Sequence, residues 1–299
     1  MPSSSRARRL AALVGAALLV TMPASLHAAT PGAISLADLA SRVAVPPPGH
    51  GVAMTAVTTT GEGLELILET DQAGVTRVVD HEALAERALA LDGVAASPGA
   101  CRDSKHAEIG FKWVGAWEWR FRASSTPLGV GKAAAEAQLR AAVRSITSAR
   151  NDCDLPDRVN ARARYLGRTP RRPGVRSDAG CGIRDGHNVV GFGALPAFIA
   201  GLTCTTYTVP SRGRGRAIES DVLLNKRLGW AMRRVNCSRS DNEAILRSIA
   251  THEFGHVFGL GHVREAAHGN LTMSEQIGSC DDSAFTLGRG DILGLERLY

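Results

Sequence analysis

Apolar and polar positions alternate most cleanly between Trp117 and Arg122. Trp117, Trp119 and Phe121 fall on one side, and Glu118, Arg120 and Arg122 on the other. A period of two is the repeat of a strand with one buried face. Lys132 to Arg150 changes to a helical period, with Leu139, Val143 and Ile146 along one side. Short strand-like runs follow at Ala161–Leu166, Asn188–Phe192, Gly201–Val209 and Arg216–Asn225. Ser240-Asp241-Asn242-Glu243 has the S-x-x-E form of a capping box and predicts the start of a second helix. Gly288–Tyr299 reads as a short terminal helix. Strands, then helix, then an irregular tail predict an α+β fold.

The N-terminal hundred residues differ in character. Arg6, Arg8 and Arg9 precede a charge-free apolar run, Leu10–Val20, which is short for a membrane span, and small residues follow at Ala28 and Ala29. This is the pattern of an export signal, with cleavage after Ala28, so residues 1–28 are read as a signal peptide and the chain as secreted. Next come an amphipathic stretch (Ile34–Val43), a Pro46-Pro47-Pro48 break, and strand-like Val52–Thr60 and Leu64–Thr70. An alanine-rich helix near His81–Leu91 and a Gly/Pro-containing link at Gly93–Gly99 complete the region. Residues 29–104 are expected to form a prosegment or an N-terminal accessory region apart from the main core, and residues 105–299 the main domain.

Charge narrows the partners. The chain holds 35 basic and 29 acidic residues. The proposed signal takes three of the former and none of the latter, leaving about +3 in the mature chain. That is too mild for nucleic-acid binding. One basic stretch, Arg158 to Arg176, reads as a solvated loop, with an acidic-substrate surface as the alternative. The mature chain has no membrane-length apolar run and is expected to act as a monomer. Its six cysteines lack C-x-x-C spacing, and an even count in an exported chain points to three disulfides. The pairing expected is Cys153–Cys181 and Cys204–Cys237, leaving Cys101–Cys280 by exclusion.

The chemistry is carried by Thr251-His252-Glu253-Phe254-Gly255-His256-Val257-Phe258-Gly259-Leu260-Gly261-His262. Four residues apart on a helix, His252 and His256 share a face and converge on one ion. Gly259 suits a left-handed helix stop, which lets the chain turn back and bring His262 as a third nitrogen. Three histidines leave a fourth tetrahedral position for water, the arrangement of a catalytic zinc site. Glu253, about 100° further round the helix than His252, is placed to act as general base.

These residues resemble the metzincin metallopeptidases, and within them the matrixins, particularly small secreted bacterial members. The motif has the H-E-x-x-H-x-x-G-x-x-H form of that group, and Leu271-Thr272-Met273-Ser274 is similar to its Met-turn. Ile218–Asn225 resembles the strand before the active-site helix, and Leu287–Tyr299 the closing helix, whose aspartate (Asp291 here) supports the Met-turn. The resemblance implies a twisted mixed β-sheet with a backing helix, an active-site helix and a C-terminal subdomain containing Met273. It further implies a zinc endopeptidase acting on proteins or peptides with one catalytic Zn2+. Glu275 stands where astacins and serralysins have a zinc-binding tyrosine, which disfavours those branches. Matrixin proenzymes keep a metal-blocking cysteine near the position of Cys101, but the full motif is missing and a disulfide is favoured. A calcium (Ca2+) loop at Asp185-Gly186-His187-Asn188 lacks support beside a plain turn. A cell-wall peptide hydrolase on the same scaffold and a non-catalytic zinc-binding protein remain as alternatives.

Overall fold

The structure, a computed structural model, describes residues 40–59, 63–79 and 98–299. The expected signal peptide, the helix near His81–Leu91 and most of Ile34–Val43 lie outside the described residues.

The strands of the main sheet are β1 (His50–Thr58), β2 (Leu64–Thr70), β3 (Thr76–Val79), β4 (Trp117–Phe121), β5 (Ala163–Arg168), β6 (Asn188–Gly193), β7 (Ile199–Thr208) and β8 (Gly215–Asn225). Their order is β3-β2-β1-β7-β8-β6-β4-β5, and a two-residue strand, Phe111–Lys112, also pairs with β8. The β3-to-β8 half is antiparallel and the β8-to-β5 half parallel, so the sheet is mixed. Helices α1 (Lys132–Thr147) and α2 (Leu246–Val257) pack on each other, and α2 lies against β7. A single-turn helix, α3 (Glu265–His268), and a terminal helix, α4 (Arg289–Leu298), follow. The fold is α+β, as the residue pattern predicts.

The alternation at β4 does what its period implies. Trp117, Trp119 and Phe121 are buried against the helices, while Glu118 is exposed. Phe254 of α2 packs on Trp117 and Trp119 at centroid distances of 5.4 and 6.0 Å, so β4 and the motif helix share one aromatic core.

Three expectations are corrected. Residues 50–59 and 63–79 are not apart from the core. β1 pairs with β7 from His50↔Thr208 to Thr58↔Ile199. Its side chains alternate into both apolar clusters, Ala53 and Val57 toward the helices, Met54 and Ala56 toward the opposite face. The capping box does not start α2. Glu243 Oε2 accepts Ser238 N–H at 2.8 Å and closes a loop. Ala244–Ile245 then pairs with Trp230–Ala231, so the helix begins only at Leu246, after an N-cap, Ile245, that makes no side-chain bond. The disulfides also differ: all six cysteines pair, but as Cys101–Cys153, Cys181–Cys204 and Cys237–Cys280. Cys181 and Cys204 meet across the sheet's outer face, where sequence order gives no hint of contact.

Candidate metal centre

Helix α2 sets His252 and His256 one turn apart and ends at Val257. Gly259 then takes φ +93°, where a Cβ would strike the Phe111 carbonyl. The reversal carries the chain through Leu260–Gly261, which pairs with Ala107–Glu108, to His262. The Nε2 atoms of His256 and His252 are 2.9 Å apart, and each is 3.1 Å from that of His262.

Two of the opposite ring nitrogens are committed elsewhere. His252 Nδ1 donates to the Thr272 carbonyl at 2.7 Å and His256 Nδ1 to that of Leu260 at 2.8 Å. His262 Nδ1 faces Glu65 Oε2 at 3.7 Å, and the same oxygen accepts His262 N–H at 3.0 Å. Imidazoles that give their Nδ1 protons to carbonyls carry lone pairs at Nε2. Lone pairs facing at about 3 Å repel unless a cation lies between them. The spacing approaches the roughly 3.3 Å edge of a tetrahedron around an ion with bonds of about 2.0–2.1 Å. The donor set therefore fits a metal ion. Burial drives all three histidines well below the usual imidazole range, His252 to about 4, which keeps them neutral and able to ligate.

Glu253 is fully buried beside them. Thr203 Oγ1 of β7 donates to its Oε2 at 2.5 Å, and Val57 N–H of β1 to its Oε1 at 3.3 Å. Burial pushes its carboxyl up to about 8 against these two donors. Leu271–Ser274 forms a turn closed by Ser274 N–H to the Leu271 carbonyl, with Met273 buried against Gly255. Asp291, at the start of α4, accepts N–H groups from Thr272, Met273 and Gly288 at 3.0, 3.2 and 2.8 Å. The turn that supplies the carbonyl for His252 is thereby tied to the terminal helix.

Residues 205–299 match the family model described as Matrixin. Over this third of the chain the sequence is similar to the matrixins. The matched span runs from the end of β7 through the three histidines and the Met273 turn to Tyr299, so the convergent geometry lies inside it. No match was found among curated proteins.

The matrixin-like region does not hold every residue at the centre. Glu65, Val57 and Thr203 lie before it, and no motif in the sequence marks them. Glu65 looks like any polar position on an alternating strand until β2 is placed beside His262. The Asp185–Asn188 loop is held by Glu219, whose carboxylate accepts N–H groups of Asp185, at 3.1 Å, and Gly186. Cys101 is bonded to Cys153 and so is not aimed at the histidines.

Proposed function

We propose that this chain is a secreted zinc endopeptidase. The convergence of three neutral histidine nitrogens beside the Glu253 carboxylate carries the reading, and the matrixin match supports it. His252, His256 and His262 would hold the ion, and Met273 with Gly259 would fix the two turns that bring the ligands together. Zinc, when bound, acidifies water and polarises a carbonyl oxygen. Glu253 takes the proton from the attacking water and passes it to the leaving nitrogen as the peptide bond breaks. Thr203 steadies the carboxylate while its other oxygen works. In this reading the Met273 turn and α4 would make up the C-terminal subdomain.

Export through residues 1–28 belongs to the same proposal. Three disulfides support it, since such bonds persist in oxidising compartments. Among the described residues no helix is long and apolar enough to cross a membrane. Residues 29–104 are proposed to act as a prosegment. The basic stretch is in part strand β5 rather than a loop; its Arg164 pairs with Glu118 and Arg168 with Glu136, and beyond the strand Arg176 pairs with Asp178, which speaks against an acidic-substrate surface. The test is cleavage of casein and of a diverse peptide mixture by protein from culture medium, with and without a chelator. Turnover abolished by the chelator and restored by zinc is expected; zinc binding with no turnover of any peptide would sink the proposal.

A further inference from the structure

A hydrolytic centre must meet its substrate, yet His252, Glu253 and His256 are 0% exposed. Part of the cover is the chain's own first strand. β1 runs antiparallel along β7, and the ladder slips between Val57 and Thr58, so that Val57 faces Gly201 and Thr58 faces Ile199. At the slip, Val57 N–H turns to Glu253 Oε1 at 3.3 Å. One step on, Thr58 is held from its other side in the parallel sense. Its N–H donates to the Glu275 carbonyl at 3.3 Å, and its carbonyl accepts Ile277 N–H at 3.1 Å.

The main chain at Val57–Thr58 is thus gripped by β7 on one side and residues 275–277 on the other, with a backbone amide against the carboxylate. An extended peptide presented to Glu253 would need these same partners, main-chain bonds along a strand edge and an N–H within reach of the base. Both oxygens of Glu253 are already engaged by Thr203 and Val57. Resting on the peptidase reading above, we propose that β1 is a resident competitor for the peptide slot between β7 and residues 275–277, and that hydrolysis requires β1 to leave β7.

Two further observations bear on how it leaves. Ala53, Met54, Ala56 and Val57 are each no more than 2% exposed, so β1 does not come away by fraying. Every disulfide, however, joins residues at or beyond Cys101. Nothing covalent except the chain itself holds β1–β3 to the sheet, so one break after Val79 makes them a dissociable fragment.

The test uses the full chain carrying Gly51→Leu. A Cβ at Gly51 falls within 2.7 Å of the Tyr207 hydroxyl on β7, and Tyr207 is fixed in the core against Phe111. The substitution therefore pushes β1 off β7 without touching the metal centre. Amide exchange of residues 50–58 and casein hydrolysis by the zinc-loaded protein are measured together. Faster exchange with at least tenfold higher turnover than wild type is expected, reversed by an added peptide of residues 48–70. Loosened β1 with unchanged turnover would overturn the proposal.

Should Gly51→Leu fail to fold, a protease recognition sequence placed between Val79 and Pro98 of the wild-type chain replaces it, cut after folding. Turnover should then rise only as the fragment dissociates; no rise after its loss overturns the proposal. Binding of a residue 48–70 peptide to the opened protein, read by fluorescence anisotropy, separates the two readings. Binding without any hydrolysis by the opened form overturns the peptidase reading, whereas no binding overturns the slot.

Discussion

Met273 sets its sulfur against Gly255, the only glycine in helix α2. A Cβ there would overlap Sδ and lie 3.0 Å from Cε. Gly255→Ala should push Met273 and its neighbour Thr272 outward, at the overpacking cost of about 1–3 kcal/mol. Calorimetry should show melting lowered by several degrees, together with weaker metal retention, because the Thr272 carbonyl orients His252. Met273→Leu conserves volume and should cost less, under about 1.5 kcal/mol. Equal stability of wild type and Gly255→Ala would show that the contact does not constrain the turn.

Glu253→Gln and His262→Ala should fail differently. The first removes proton transfer but no ligand, so zinc content by elemental analysis should stay stoichiometric while turnover falls about 10²-fold or more. The second removes a nitrogen 3.1 Å from each of the other two and should lose both metal and activity. Stoichiometric zinc in His262→Ala would mean that another residue completes the site.

Asp291 should matter more than its distance from the histidines suggests. Replacing it with alanine leaves three buried N–H groups without an acceptor, each worth about 1–3 kcal/mol. Chemical denaturation should show a loss of several kcal/mol. Burial pushes the Asp291 carboxyl up to about 6, above the roughly 3.9 of an unfolded chain. The folded state therefore binds this proton more tightly, and the group's contribution to stability grows as pH falls from about 7 to about 4 and is lost as pH rises through 6. The stability of wild type relative to Asp291→Asn, measured in chelator, should accordingly increase over that fall in pH.

Peptide mapping without reduction should yield Cys101–Cys153, Cys181–Cys204 and Cys237–Cys280 and no free thiol. The first closes a separation of 52 residues, for which chain entropy alone gives about 4 kcal/mol. Replacing both of its cysteines by alanine should be the most destabilising of the three double substitutions, as read by thermal unfolding. Any other connectivity in the map would refute the pairing.

What the sequence made legible was local. Trp117–Phe121 announces a strand because each residue is read against its neighbour two positions away, and the histidines announce a helix face through their spacing of four. The cysteine count implies three bonds but not which, since pairing depends on β7 crossing near Cys181. The Ser240–Glu243 pattern misled because Glu243 has a competing partner, Ser238 N–H, that only the folded loop supplies. The largest miss was residues 50–79. Their strand character was readable, but strand β1 meets its partner β7 some 150 positions later in the chain, and no periodicity encodes a partner that distant. Glu65 escaped notice with them.

The pairing of β1 with β7 has another consequence, for the behaviour of the opened protein in solution. As described, the sheet ends at β3, a four-residue edge bearing Arg77. Without β1 it would end at β7, ten residues long and mostly apolar or threonine. A long uncharged edge is a template for any extended strand, including one from a second copy. The opened form should therefore self-associate or aggregate at concentrations the intact chain tolerates, and its working lifetime should shorten as its concentration rises.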